Sequence, residues 1–157
     1  MDVNVNIFSV IRNGDFESYL KNIDQIDINI TQVDGCSMLH RALSNYKFDI
    51  ALDLIHRLIN INLQDKKGMT SLHYISFYPN IEVANALISN GGNIEMNDLY
   101  GNTPLWYAVV NARRKYEIVD LFMQNLANPN SVNKVGKTPL DFAQKINDFK
   151  LIRLLTK

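Results

Sequence analysis

The chain has 157 residues, with 16 Lys+Arg against 16 Asp+Glu and 46% hydrophobic residues. That balance argues against a disordered tail and gives enough length for one ordinary domain with a substantial core. The single cysteine, Cys36, excludes an internal disulfide and fits a reducing compartment. The N-terminus has acidic Asp2 and no apolar h-region, which excludes a secretory signal, and no apolar run approaches a membrane span. The expected location is cytoplasmic.

In chain order, residues 1–31 read as a degenerate first unit. Ile7, Phe8, Val10 and Ile11 form a short apolar helical face, Asn13-Gly14-Asp15 interrupts it, and Phe16, Tyr19, Leu20 and Ile23 supply a second short helix. Such a pair fits an end cap, with Asp2, Arg12, Glu17 and Lys21 on its wet outer face. From Gln32 onward the chain becomes periodic. Gly35, Gly68, Gly101 and Gly136 recur at intervals of 33, 33 and 35 residues, each four places before a leucine (Leu39, Leu72, Leu105, Leu140). Self-similarity at this period signals stacked supersecondary units in place of one layered core. The predicted units are 32–64, 65–97, 98–132 and a closing 133–157.

Each unit repeats one grammar. In the first, Val33-Asp34-Gly35 makes a turn, Ser37 caps a helix carrying Leu39, Ala42 and Leu43 inward, and a second helix uses Ile50, Ala51, Leu54, Ile55 and Leu58. In the second, Asp65-Lys66-Lys67-Gly68 is the turn and Thr70 the cap. Leu72 and Ile75 face inward, Pro79-Asn80 separates the helices, and Asn90-Gly91-Gly92-Asn93 ends the second one. In the third, Thr103 caps and Pro104 takes the first helical position, where its missing N–H costs nothing. Its two extra residues fall near Ala112-Arg113-Arg114-Lys115, between the helices, as either a contact finger or tolerated surface drift. The fourth has Thr138-Pro139-Leu140, then a short helix with Phe149, Ile152, Leu154 and Leu155, whose Lys150, Arg153 and Lys157 suit a C-terminal cap.

With Asp-x-x-Gly-x-Thr-Pro-Leu-x-x-Ala recurring and a polar Asn/Gly/Asp exit from each second helix, the chain resembles the ankyrin repeat family over essentially its whole length. The resemblance implies an all-α fold, a solenoid of helix-turn-helix units joined by β-turn or hairpin-like connections. Departures are local: Ser37-Met38 and Thr70-Ser71 replace the Thr-Pro step, and Trp106 and Asp141 stand where the family usually has His. It also implies that His40 and His73, at equivalent positions, brace neighbouring turns through structural hydrogen bonds.

No catalytic constellation emerges. One cysteine with no His-x-x-x-His or Cys-x-x-Cys pair gives no metal site, no serine lies in Gly-x-Ser-x-Gly, and Gly91-Gly92 lacks a nucleotide-loop context. Asp34, Asp65 and Asp98 each have a turn role. The expectation is therefore no enzyme and no cofactor, with an enzyme of unrecognised site as one alternative. Charge is unevenly spread: residues 1–33 carry 2 basic against 5 acidic (net −3), 34–112 carry 5 against 7 (net −2), and 113–157 carry 9 against 4 (net +5). The basic third, with Arg113, Arg114, Lys115, Lys134, Lys137, Lys145 and Lys150, makes a nucleic-acid adaptor the other alternative. Zero overall charge and the lack of a groove-reading motif count against it.

What remains is a surface. The resemblance implies contact through turn tips and the exposed side of each first helix, on a concave face. By register the strongest positions are Lys66, Lys67, Met69, Phe77, Tyr78, Leu99, Tyr100, Asn102, Val110 and Asn111, with Arg113 and Arg114 of the insertion. Large apolar and aromatic side chains there suit an interface core. The alternative is that Phe77 and Tyr78 cover the loop before Pro79 while Trp106 and Tyr107 pack between units. The reading is a protein-binding module, a monomer when unbound, whose output is binding itself, as in a stoichiometric inhibitor or immunity-type protein.

Overall fold

The computed structural model of the chain describes residues 6–157. Asp2, assigned above to a wet face, lies outside them. Among the described residues the ordered elements are helices: α1 (Ile7–Asn13), α2 (Phe16–Ile23), α3 (Met38–Ser44), α4 (Phe48–His56), α5 (Ser71–Phe77), α6 (Ile81–Ser89), α7 (Pro104–Val110), α8 (Glu117–Gln124), α9 (Pro139–Lys145) and α10 (Phe149–Leu155). Among the described residues the only bridge pairing is an isolated one between Thr31 and Ser37.

Most of these helices are too short to be stable alone, so lateral packing must hold them. Odd-numbered helices stack in one row (α1 on α3, α3 on α5, α5 on α7, α7 on α9), and even-numbered helices form a second row behind it. One continuous core runs between the rows, with Ile11, Tyr19, Leu39, Leu54, Leu72, Leu87, Leu105, Phe122 and Leu151 essentially inaccessible. The outermost helices enclose this core from both ends. Tyr19 reaches from α2 to donate to Asp53 on α4 at 2.6 Å, and burial together with that bond pushes its phenol up.

Capping follows the residues expected. The Ser37 hydroxyl accepts from the His40 N–H, Thr103 from Trp106, and Thr138 from Asp141. Pro104 and Pro139 begin α7 and α9 without cost. Ser71 fills the same position of α5, and its buried hydroxyl finds no partner.

Two helical expectations change. Leu58, expected inward on the second helix, lies past its end with φ +63° and 79% exposure. Phe149, expected among the apolar residues of the last helix, is also largely exposed. Leu58 shares its register with Gly91 and Leu126, all left-handed where the second helix terminates. A glycine is usual there because a Cβ opposes that backbone.

Candidate protein-binding face

The face is built from turn tips stacked on one another. Lys66 N–H donates to Asp34 O, Leu99 N–H to Lys67 O, and Lys134 N–H to Tyr100 O, each at 2.9 Å. Each turn is also closed from within. Asp65 Oδ1 accepts from the N–H groups of Lys67 and Met69, Asp98 Oδ1 from Tyr100 and Asn102, and Asn133 Oδ1 from Val135 and Lys137.

The residue of that register in the first turn is Gln32, not Asp34. Asp34 sits two places later, accepts from the Cys36 N–H and pairs with Arg41. The turn glycines are required twice over. Gly35 and Gly68 have φ near +78°, and a Cβ would lie 2.8 Å from the next turn's Lys66 or Leu99 nitrogen, whereas at Gly136, with no turn beyond it, a Cβ would meet nothing.

Histidines tie the first two turns to the turn that follows each of them. His40 Nδ1 accepts from the Ser37 N–H at 3.1 Å, so the proton sits on Nε2, which donates to Met69 O at 3.0 Å. His73 repeats this with Thr70 N–H and Asn102 O. Burial pushes His40 down to about 4 and lowers His73 in the same direction. Trp106, at the same register, instead sets its ring edge-on to Phe142, 5.9 Å between centroids. Asn133 Nδ2 takes over the link, donating to Asn102 Oδ1 at 2.9 Å.

The inner helices present aromatic rings beside these tips. Tyr74 donates to Asp65 Oδ2 at 3.0 Å and Tyr107 to Asp98 Oδ2 at 2.6 Å; desolvation and then the bond to Asp98 push Tyr107 up to about 12. Tyr74's oxygen lies 3.3 Å from Cys36 Sγ, whose thiol burial pushes up. Phe77 packs on Tyr107 at 4.9 Å, and Tyr78 meets Tyr46 edge-on at 5.3 Å. Tyr46, Tyr74, Tyr78, Phe77 and Tyr107 thus form a row across three helix pairs. The sequence reading placed only Phe77 and Tyr78 of it on the face and gave Tyr107 as the alternative that packs between units, although Tyr74 and Tyr107 recur at the repeat interval and carry a detectable signal.

The other expected positions divide. Lys66, Lys67, Leu99 and Tyr100 are exposed at the tips, Leu99 and Tyr100 at 57% and 62%. Val110 is exposed on α7. Met69 and Asn102 do not belong with them: both are buried, because the residue after each left-handed glycine turns inward, where its carbonyl receives a histidine. Phe77, Tyr78, Asn111 and Arg113 come together in a cleft of about 710 Å³ between the loop joining α5 to α6 and the loop joining α7 to α8. Arg114 faces a neighbouring groove with Tyr116, Asp120 and Lys150. The longer connection, residues 111–116 against 45–47 and 78–80 in the earlier pairs, places the insertion where the sequence predicts it.

Among the described residues no three His, Cys, Asp or Glu side chains gather as a metal site, and no helix is long and apolar enough to cross a membrane. Paired helices stacked in two rows, with turn tips bonded in series, define a helical repeat solenoid. A family model for ankyrin repeats in three copies matches residues 39–133, more than half the chain, and the chain belongs to the ankyrin-repeat family. Arrays of this family are protein–protein interaction modules. No curated protein matches the chain.

Proposed function

We propose that this chain is a non-enzymatic binding protein that holds a protein partner against its concave face, across the turn tips and inner helices of residues 66–78 and 99–111. One observation carries the reading: Leu99, Tyr100, Phe77, Tyr78 and Val110 present apolar and aromatic surface on the row of tips and inner helices. Clustered aromatic side chains dominate interface energetics because they bury large area at low entropic cost. Phe77 and Tyr78 are already ordered by their contacts with each other, Tyr46, Tyr74 and Tyr107, so binding immobilises few of their rotamers. The fitting output is stoichiometric inhibition of the partner, as by an immunity-type protein, and the lone reduced Cys36 suits a cytoplasmic setting.

Replacing Tyr78 and Tyr100 together by alanine tests the face. Calorimetric titration of the partner recovered from the native cell is expected to weaken at least tenfold while the helical circular dichroism is kept. Unchanged affinity with intact helicity sinks the reading.

A further inference from the structure

The aromatic row ends in the cleft between the α5–α6 and α7–α8 connections, and its chemistry differs from that of the tips. Its walls are Phe77, Tyr78, Pro79 and Ile81 on one side and Ala108, Ala112 and Ile118 on the other, with Asn111, Arg113, Lys115 and Glu117 at the rim. A volume of about 710 Å³ is within the range of pockets that receive a ligand group, and more than one side chain needs. Arg113 and Lys115 are both exposed there. The ion pairs among the described residues, Arg41 with Asp34 and Arg57 with Asp24 and Asp53, involve neither.

The cations are held by a strained turn. Arg113 and Arg114 are consecutive left-handed residues, φ +42° and +68°, closed by a Lys115 N–H to Ala112 O bond of 2.6 Å. A Cβ opposes the backbone in this region, and such strain concentrates at binding sites. Arg113 and Lys115 line the cleft, and Arg114 lines the groove beyond it.

We propose that this cleft docks an acidic peptide segment of the protein partner, which seats one large apolar side chain on the Phe77, Ile81 and Ile118 walls and sets a carboxylate against Arg113 and Lys115. This rests on the concave-face reading and names the chemistry of the partner. Charge complementarity selects the occupant: Arg113 and Lys115 outnumber Glu117 at the rim and form no ion pair with it, and residues 113–157 carry a net +5 (9 basic, 4 acidic) that steers an acidic partner to this end of the array. An apolar wall of Phe77, Ile81, Ala108 and Ile118 fits a peptide side chain better than a phosphate backbone.

The test is an amide NMR titration of the full chain with nine-residue peptides: acidic with a central phenylalanine, acidic with a central alanine, and basic with a central phenylalanine. A thymidine oligonucleotide is the fourth probe. The acidic phenylalanine peptide is expected to shift amides of residues 77–81 and 108–118 saturably. Its Kd should rise at least tenfold with the alanine peptide, with Arg113→Ala/Lys115→Ala, and with Ile81→Glu, which keeps an acid-tolerant helix start but spoils the wall. Absence of saturable shifts, binding that survives both variants, or tighter binding of the oligonucleotide at the same residues overturns the proposal. Shifts confined to residues 99 and 100 overturn it while leaving the concave-face reading intact. That reading falls separately, if the Tyr78 and Tyr100 alanine variant keeps full affinity for the native partner.

Discussion

His40 makes acid sensitivity calculable. Its imidazole is fully buried, and Nδ1 faces the Ser37 N–H, a group that can only donate, so a proton added there would set two donors against each other. The folded value of about 4 lies below the ordinary 6.5, so the unfolded chain takes up the proton first as pH falls. Stability is therefore complete above pH 6.5 and declines through the interval down to about 4. At pH 4 the loss from this one residue is about 3 kcal/mol, a large share of a typical domain's roughly 5–15 kcal/mol, and His73 adds to it in the same direction. Asp15 is held low by its Ser18 hydrogen bonds. Asp34 is raised by slight burial but held low overall by the Cys36 N–H and Arg41. Both have folded values under the ordinary 3.8, so their contributions fall away below this window.

Urea unfolding at pH 7.5, 6, 5 and 4.2, followed by helical circular dichroism, separates the histidine from the rest. His40→Gln should cost about 1–3 kcal/mol at pH 7.5 through lost buried hydrogen bonds. The wild type should then lose its advantage as pH falls, and the two stability curves should converge. Parallel curves would refute the assignment of acid sensitivity to His40.

Three further outcomes follow from individual backbone and side-chain positions. Ser71→Pro should stabilise by about 1 kcal/mol in urea unfolding, because it removes an unpartnered buried hydroxyl and places proline at the first helical position as at Pro104 and Pro139. Leu126→Gly, at a left-handed position 89% exposed, should raise stability by about 0.5–1 kcal/mol, since strain is relieved without loss of buried area. Gly68→Ala should destabilise markedly more than Gly136→Ala in the same assay. Both meet left-handed strain, but only the first drives a Cβ into the Leu99 backbone.

The fold was legible because each helix pair restates the same local chemistry. Glycine, the cap and the inward leucine recur in register, the turn glycine serves the same contact wherever a following turn exists, and His40 and His73 make the same link in the two units that have a histidine. Burial around the turns was less legible. Met69 and Asn102 read as tip residues because they follow a turn glycine, yet the left-handed glycine reverses the chain and sends them inward. The apolar Cys36 at the same register was a hint of this. Likewise Asp34 looked like the counterpart of Asp65 and Asp98, although counting from the histidine assigns that role to Gln32. The aromatic row was half legible, since Tyr74 and Tyr107 repeat in the sequence, whereas Tyr46 joins only through its contact with Tyr78. The cleft was not legible: its walls come from two connections more than 30 residues apart, and its cations are aimed by backbone angles that residue types do not announce.

Photo-crosslinking in the native cell tests the central claim most directly, with a photoreactive phenylalanine analogue at position 77 or 100 on the inner face and at 85 or 124 on the exposed side of α6 and α8. Capture of one partner protein from 77 and 100, and none from 85 and 124, is the predicted result. Capture from 85 and 124 alone would contradict a binding role for the concave face.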